Sequence, residues 1–434
     1  TARPQHGVLI HSCNAPMPHR SDDRYFLNRR HMLCCGAAAV AGMFTSLQAH
    51  AALPGLDNPC RGKLPQALAQ HDLVRAAFEG LDPHALWDVH AHLLGTGDSG
   101  SGCTVHASMS QWWRPIEVLR RQAILNAACV GSAAASVDLA YVERLLSLSH
   151  DFPAGARWLL FAFDHAHGDD GAAHPDTTTF HVPDRYAREV VTAHAERFGF
   201  VASIHPYAAD AAERLNRAIG DGALAIKWLP SAMNIDPRDP RCRPFYARLA
   251  ASRVPLIIHF GEEQAVPGAG RNEFGNPLLA RVPLEAGVRV VMAHCASLGH
   301  AADLDKPSAP RIAAFDLFAR LMDERAHDTL LLGDISAVQQ INRKNEVVRT
   351  LIERDDWHPR LLHGSDYPLP GIPILTRPQR LADAGLLDAN AVPLLTQLRE
   401  HNPLLFDFVL KRSLRVGGRG LSTTVFETQR HFAR

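Results

Sequence analysis

The sequence has no Cys-x-x-Cys pair, and its cysteines are scattered. Three of the eight cysteines fall within the first 51 residues, and the other five are odd in number and far apart: Cys60, Cys103, Cys129, Cys242 and Cys295. Closely spaced cysteine pairs mark zinc ribbons and small disulfide-built domains, so both classes are excluded. A single disulfide in an oxidising compartment, with Cys60 and Cys103 as candidates, stays open.

Signals for phosphate and nucleic acid are also missing. The 45 basic and 45 acidic residues give a formal net charge of zero, and no run of lysine or arginine forms a track for phosphates. This balance argues against nucleic acid as a partner. No GxxxxGK[ST] loop is present, and no glycine-rich loop supports a nucleotide-binding fold.

The chain is rich in apolar residues and in histidine. Of its 434 residues 46% are hydrophobic and 21% charged, which is typical of a globular protein with a large core. The 25 histidines slightly favour metal chemistry.

The first 51 residues have the layout of an export signal. Arg29 and Arg30 precede a modest apolar stretch of small residues, and a cleavage-like Ala49-His50-Ala51 site follows. This order predicts a twin-arginine-type leader that the export machinery recognises, hence a periplasmic or otherwise exported protein. The apolar stretch is too short to span a membrane. A disordered basic tail on a cytoplasmic protein is the alternative. Residues 52–83 are expected to be a connecting segment.

From residue 84 onward, short apolar runs alternate with polar loops and helical stretches. The runs are continuous, as expected for parallel strands covered on both faces. They span residues 86–93, 157–164, 200–206, 223–230, 255–260, 288–295, 329–336 and 360–368. Eight β/α units predict an α/β protein, a (β/α)8 TIM barrel at residues 84–410 with a tail at 411–434. The first interval is long enough for two helices.

Polar side chains recur at the ends of these runs. The first run ends in His90 and His92, and later runs end in His205, Lys227, His259, His294, His363 and Asp366. The carboxyl ends of barrel strands converge on the active site. Each residue alone has an ordinary structural explanation, such as bonding a neighbouring loop. Their recurrence on most of the strands indicates a functional site.

The residue types suit a divalent metal, zinc above all, with manganese or iron as alternatives. His90 and His92 lie two residues apart on an extended strand and therefore face the same side. His259 and Asp366 would complete the site from across the barrel. Three or four such ligands leave a position for water, which loses a proton near neutral pH when metal-bound. Asp366 would accept that proton and deliver it to the leaving group.

The ordered set Asp-x-His-x-His (residues 88–92), then Lys227, His259, His294 and Asp366, resembles the amidohydrolase superfamily of metal-dependent hydrolases. The ending "HGSDYP" (residues 363–368) resembles its amidohydrolase-related branch. The resemblance covers residues 84–410. It implies that the metal ligands are His90, His92, His259, His294 and Asp366, with Asp366 and His294 as the catalytic residues.

Lys227 admits more than one interpretation. In the two-metal members that the chain resembles, a lysine ending strand four is carboxylated and bridges the ions, so Lys227 is a sixth candidate ligand. In single-metal members, a lysine nearby contacts substrate or is structural. A direct pair with Glu262 or Glu263 is the simplest alternative for a buried lysine. Whether one or two ions bind stays open.

Four further residues are candidates for contact with the substrate. His165 belongs to a second Asp-His-Ala-His sequence (residues 164–167) that enters a loop, and His205 ends a strand at the barrel mouth. Trp228 would add an apolar wall to the site, and Arg271 would bind an anionic group of the substrate. Asp88 is expected to orient an imidazole ligand from behind.

The sequence therefore predicts an exported metal-dependent hydrolase that acts on an amide, lactone, ester or similar bond of a small molecule. A metal-dependent non-oxidative decarboxylase on the same fold is the first alternative. A catalytically inactive periplasmic binding protein is the second. The substrate and the oligomeric state, including any homo-oligomer, are not predicted because barrel loops carry specificity.

Overall fold

Eight parallel strands follow one another around one sheet in chain order. The computed structural model describes residues 57–131 and 134–432, so the predicted export leader lies outside the described residues. The strands are β1 (Trp87–His92), β2 (Arg157–Phe161), β3 (Phe198–Ala202), β4 (Ala225–Trp228), β5 (Leu256–Ile258), β6 (Val290–Met292), β7 (Leu331–Asp334) and β8 (Leu361–Leu362). Each strand overlaps one of the predicted apolar runs.

Backbone hydrogen bonds between the first and last strands close the sheet. The amide of Val89 donates to the carbonyl of His363 at 3.0 Å, and the amide of Asp366 donates to the carbonyl of His90 at 2.7 Å. Neighbouring strands pair in parallel elsewhere, for example Lys227 opposite Ile257. The predicted (β/α)8 barrel is therefore confirmed.

Both faces of the sheet are covered, which explains the continuous apolar runs. Side chains from all eight strands pack inside the barrel, among them Val89, Leu159, Val201, Ala225, Ile257, Val291, Leu332 and Leu362. The outward face packs against the helices in a second, larger cluster. A strand covered on both faces leaves polar side chains little room except at its ends.

Helices surround the barrel, and the first interval holds two, as predicted. The helices are α1 (Gln66–Ala69), α2 (Asp72–Phe78), α3 (Pro115–Ala127), α4 (Val137–Ser149), α5 (Asp184–Ala193), α6 (Ala211–Gly220), α7 (Pro230–Met233), α8 (Cys242–Ser252), α9 (Arg281–Glu285), α10 (Ala314–Met322), α11 (Asn345–Glu353), α12 (Pro378–Asp383), α13 (Val392–His401) and α14 (Pro403–Ser413). Two short antiparallel pairs lie outside the barrel: Thr104–Val105 with Phe180–His181, and His300–Ala302 with Arg311–Ala313. Across the described ranges, no helix is long and apolar enough to cross a membrane.

The glycine-rich loop after β1 binds a carboxylate of the protein itself. Residues 95–100 match the GxGxxG pattern of dinucleotide-binding loops. The amides of Thr96 and Gly97 donate to Oδ1 of Asp138 at 2.6 and 3.2 Å, and the hydroxyl of Ser99 donates to its Oδ2 at 2.8 Å. These donors are satisfied by a side chain of α4, so the loop has an internal structural role.

The segment predicted as a C-terminal tail packs on the barrel, which corrects that prediction. Helix α14 continues across the predicted boundary at residue 410 to Ser413. Val425 and Phe426 are fully buried, and the hydroxyl of Thr428 donates to the carbonyl of Trp87 at 2.7 Å. The segment covers the amino-terminal end of β1, a long-range contact that carries no local sequence signal.

A disulfide joins Cys60 to Cys129, so the candidate pairing of Cys60 with Cys103 is wrong. Asn58 and Asn126 explain the choice of partner. The amide of Asn58 donates to Oδ1 of Asn126 at 2.7 Å, and Nδ2 of Asn126 donates to the carbonyl of Asn58 at 3.0 Å. These bonds bring residue 60 beside the end of α3, while Cys103 is a buried free thiol.

Candidate metal centre and substrate cavity

A cavity of about 310 Å³ opens at the carboxyl ends of the strands. Its base holds the six residues predicted as metal ligands: His90, His92, Lys227, His259, His294 and Asp366. Apolar side chains line much of the remaining wall, among them Leu94, Ile124, Phe161, Phe163, Val182, Leu369, Ile372 and Leu375. The fold thus brings the predicted polar residues to one place, as the convergence of barrel strands requires.

A buried carboxylate at the end of β7 holds the His90 ring. Nδ1 of His90 lies 2.9 Å from Oδ2 of Asp334, and both side chains are almost fully buried. Asp334 is fixed in turn because its Oδ1 accepts the amides of His294 and Ser336, each at 3.0 Å. A carboxylate on Nδ1 favours the tautomer whose Nε2 carries the free lone pair.

Three side chains present ligand atoms close enough to hold one ion. Ligand atoms of His90, His92 and Asp366 lie within 4.8 Å of one another. Nε2 of His92 lies 3.1 Å from Oδ1 of Asp366, and Nε2 of His90 lies 3.5 Å from the same oxygen. Buried Nε2 of His90 has no hydrogen-bond partner in the described part of the chain. Two imidazoles and a carboxylate fit a divalent metal with an open position, and an ion would satisfy that nitrogen.

His259 and His294 line the same cavity beside this group. The His294 ring lies 4.7 Å from the His90 ring and 5.1 Å from the His259 ring, measured between centroids. Nδ1 of His294 contacts the hydroxyl and the carbonyl of Ser336 at 2.7 and 3.1 Å. Nε2 of His259 lies 3.2 Å from Oε2 of Glu263. Both rings already have protein partners, and their role as ligands stays a prediction.

Two of the site residues have left-handed backbone conformations. The φ angles of His294 and Asp366 are 54° and 61°. This region is uncommon for residues with a side chain, and such conformations concentrate at functional sites, where the surrounding structure maintains them.

Lys227 is buried without a hydrogen-bond partner among the described residues. Its Nζ lies 5.0 Å from the centroid of the Phe161 ring. Burial lowers the pKa of Lys227 to about 8. Since Glu263 pairs with His259 and no hydrogen bond reaches the lysine, the suggested direct pair of Lys227 with Glu262 or Glu263 is wrong.

The protonation states suit cation binding. Burial, followed by the charge of Lys227, lowers the pKa of His90 to about 4, so this imidazole is neutral at neutral pH. Burial also lowers the pKa of His294 and His259. For Asp366, burial acts to raise the pKa, but the electrostatic interaction with His294 and the hydrogen bond with His92 outweigh it and hold the pKa below its usual range. Neutral imidazoles beside a carboxylate are what a divalent metal requires.

A sequence model of the family described as Amidohydrolase matches residues 87–397. The chain belongs to the amidohydrolase family. This match confirms the resemblance drawn from the strand-end residues, and enzymes of this family are typically metal-dependent. The finer activity does not follow from membership, because one barrel supports many chemistries.

Solved structures give remote likenesses to this amidohydrolase-family chain. An uncharacterised TIM-barrel protein from Bordetella bronchiseptica is 17% identical, with 72% of this chain and 99% of that chain covered and a TM-score of 0.42. The apo form of Metarhizium anisopliae IDCase is 12% identical, with 82% and 98% covered and a TM-score of 0.45. A zinc-bound amidohydrolase from Burkholderia multivorans is 16% identical, with 72% and 98% covered and a TM-score of 0.36. A search of curated proteins finds no significant match.

Asp88 does not orient an imidazole, which corrects its predicted role. Its Oδ1 accepts the amides of Ser365 and His90 at 2.9 and 3.1 Å. The pairing of β1 with β2 shifts register between Asp88 and Ala91. This irregularity breaks the two-residue alternation, so Asp88 leaves the face that His90 and His92 share. Burial raises the pKa of Asp88 to about 7.

None of the four predicted substrate contacts in this family member lines the cavity. His205 is fully buried, with Nε2 2.8 Å from the carbonyl of Met233. The Trp228 indole is also fully buried and donates to the carbonyl of Ile204 at 2.8 Å. The His165 ring stacks on the ring of His181.

The fourth candidate, Arg271, pairs with Glu273 at 2.7 Å and is partly exposed. The structure therefore brings none of the four predicted contacts to the cavity wall, because position along a strand or loop does not determine which face a side chain takes.

Sequence reasoning missed two buried residues near the cavity of this amidohydrolase-family barrel. Asp334 ends the seventh apolar run, "TLLLGDIS", where a single charged residue was the available signal. Arg343 lies on the loop after β7, lines the cavity and is 7% exposed. A charged residue within a polar loop carries no comparable sequence signal.

Proposed function

We propose that the chain is a metal-dependent hydrolase that uses water to cleave an amide, lactone, ester or similar bond of a small molecule. The observation that carries this proposal is the group of His90, His92 and Asp366, in which a buried imidazole nitrogen has no hydrogen-bond partner among the residues that the structure describes. Family membership supports it. Zinc is the best candidate for the ion because it accepts this ligand set.

The protein's own residues have distinct parts in this proposal. His90, His92 and Asp366 would hold the ion, and Asp334 fixes the His90 ring. When bound, a divalent metal lowers the pKa of its water and polarises the bond to be cleaved. The Asp366 carboxylate takes the proton of the attacking water and passes it to the leaving group.

The test combines metal analysis with turnover. Purified wild-type protein should contain a divalent metal and hydrolyse some members of a panel of lactones, amides and esters. His90→Asn and Asp366→Asn should lose turnover, with circular dichroism unchanged. Arg271→Gln is a matched control, since Arg271 lies outside the cavity, and it should retain full activity. Full activity in either site variant contradicts the proposal.

Non-oxidative decarboxylation is a second candidate, which one observation favours. Lys227 and Arg343 are buried cations that line the cavity, and neither forms an ion pair with a carboxylate among the described residues. Such cations attract acids. Release of CO2 without net addition of water would favour the decarboxylase, whereas incorporation of ¹⁸O from labelled water into the product would favour hydrolysis.

Export from the cytoplasm is part of the same proposal. The disulfide between Cys60 and Cys129 supports it, because such bonds persist in oxidising compartments. Fractionation of cells that express the chain should place it in the periplasm, and Arg29→Lys with Arg30→Lys should retain it inside. An equal distribution of the two forms contradicts a twin-arginine route.

A further inference from the structure

We infer that the substrate is an organic acid with an apolar body whose carboxylate binds Arg343, an inference that rests on the hydrolase function proposed above. Arg343 lies on the loop between β7 and α11, nine residues after Asp334 in the sequence. Its side chain is 7% exposed and lines the cavity that also contains His90 and Asp366.

The protein partners of this guanidinium are all neutral. Nε of Arg343 donates to the Ser297 hydroxyl at 2.9 Å. Nη1 donates to Oε1 of Gln340 at 2.7 Å and to Oδ1 of Asn342 at 3.0 Å. These bonds fix the plane of the side chain, and none of the three partners carries a charge.

The nearby carboxylates are already engaged. Glu263 pairs with His259, and Asp366 pairs with His92. Within residues 57–131 and 134–432, neither forms a hydrogen bond or an ion pair with Arg343. A buried charge is costly unless it is paired, and burial lowers the pKa of Arg343 to about 10. Asp366 and Glu263 stabilise the Arg343 charge only from a distance, so an anion that enters the cavity would give this guanidinium a direct charged partner.

The donor that Arg343 has left suits a carboxylate. A hydrogen bond from a guanidinium N–H to a carboxylate oxygen is charge-assisted and therefore stronger than one between neutral groups. Since Nε and Nη1 are held by Ser297 and Gln340, Nη2 is the nitrogen left for an incoming anion. Gln340 and Asn342 also line the cavity, so polar groups surround the proposed carboxylate position.

The rest of the cavity wall is largely apolar and suits an apolar body. Ile124 of α3, Phe163 and Val182, and Leu369 and Ile372 after β8 line it. A fully polar ligand would leave its own groups unsatisfied against these side chains. The occupant that satisfies both regions is a monocarboxylic acid with a hydrocarbon portion.

The test measures selectivity between an acid and its matched alcohol. Isothermal calorimetry would give the Kd of 3-phenylpropanoate and of 3-phenylpropan-1-ol for metal-loaded protein. Wild type should prefer the acid. Arg343→Gln should weaken binding of the acid roughly 10-fold to 100-fold and leave the alcohol within about twofold of wild type. A loss that is equal for both probes would indicate a structural role and overturn the inference, as would unchanged binding of the acid.

Two further variants keep the result interpretable. Arg120 lines the same cavity but pairs with Glu117 at 2.7 Å. If the acid binds Arg343 specifically and is not merely attracted by the positive potential of the cavity, Arg120→Gln should leave acid selectivity within about twofold of wild type. Arg343→Lys retains the positive charge and should show intermediate selectivity if Arg343→Gln fails to fold. Weakened binding of the acid alone in the folded lysine variant would support the inference, whereas an equal loss for the acid and the alcohol would overturn it.

A carboxylate bound by the metal is the alternative that the test must separate. His90→Asn should still bind the acid more tightly than the alcohol, because Arg343 is intact. If selectivity disappears in His90→Asn and survives in Arg343→Gln, the inference is overturned. If wild type binds the acid selectively yet cleaves no bond in the panel, the hydrolase proposal fails and the anion site stands.

Discussion

Nδ1 of His90 lies 2.9 Å from Oδ2 of Asp334, a contact between two almost fully buried side chains from opposite ends of the barrel sequence. The contact leaves Nε2 of His90 as the nitrogen that faces Asp366, at 3.5 Å from its Oδ1. One bond therefore determines both the tautomer and the orientation of a proposed metal ligand.

Asp334→Asn should reduce metal affinity about 10-fold to 100-fold. An asparagine amide can present N–H to Nδ1 and so favours the tautomer with hydrogen on Nε2, which cannot bind a metal. Competition with a chromophoric chelator measures the affinity.

A buried aspartate outside the cavity provides the control for that experiment. Asp164 pairs with Arg214 at 2.9 Å, so Asp164→Asn should lower the unfolding midpoint and leave metal affinity unchanged. Equal metal affinity in Asp334→Asn and wild type would show that the contact with His90 does not govern the ligand.

The fold was predictable because two-sided burial leaves a strong pattern. Eight continuous apolar runs identified the strands, and the closure of the barrel followed from their number. His90, His92 and Asp366 were found because strands ended with them. The packing of the C-terminal segment was not predictable, because its contacts are remote in sequence: the hydroxyl of Thr428 donates to the carbonyl of Trp87, 341 residues earlier in the chain.

The errors at the site arose from backbone geometry that the sequence does not encode locally. A register shift after Asp88 moved that residue off the face of His90. Trp228 lies next to Lys227 in the chain, but the two side chains take opposite faces of β4, so Trp228 packs among Phe245 and Tyr246 outside the cavity. Arg343 was missed because the sequence does not show whether a residue in a loop is buried.

Lys227→Met should leave the metal content at one ion per chain, as in wild type. Ligand atoms approach one another in two groups that share His90, one with His92 and Asp366 and one with His294 and Asp334. Lys227 belongs to neither, and its Nζ lies against the Phe161 ring. Methionine preserves the apolar packing of the lysine chain, so the variant should fold.

Metal analysis by mass spectrometry, with exposed Lys306→Met as the control, decides the number of ions. Two ions in wild type that fall to one or none in Lys227→Met would instead establish a bridging lysine.

Cys60→Ser should lower the free energy of unfolding by about 2–4 kcal/mol, since the disulfide closes a long loop in the unfolded chain. The two cysteines are separated by 69 residues. Urea unfolding of oxidised wild type, reduced wild type and the variant measures the effect. Cys103→Ser, which removes a free thiol, should preserve the disulfide. Identical stability of oxidised and reduced wild type would contradict this expectation.

Lys411→Met should destabilise the barrel by about 3–5 kcal/mol at neutral pH, because it leaves a carboxylate buried without its cation. Nζ of Lys411 donates to Oδ2 of Asp407 and to the carbonyl of Gly364, each at 2.6 Å, and both charged side chains are fully buried.

Burial raises the pKa of Asp407 to about 6 even with Lys411 present to lower it. Loss of the lysine raises this pKa further. A carboxyl whose folded pKa exceeds its unfolded value stabilises the fold when protonated, and this contribution is lost as the pH rises through the folded pKa. The destabilisation should therefore shrink as the pH falls toward 6, between the folded pKa of the variant and that of wild type, and should level off below pH 6. Adding Asp407→Leu should restore most of the stability, so urea unfolding of both single variants and the double variant completes the test. Additive losses, or a loss that does not change with pH, would show that the pair is not coupled.

Because Gly364 precedes Asp366 by two residues, the single variant should also lose turnover. Recovery of activity in the double variant would show that packing alone holds the loop from Gly364 to Asp366.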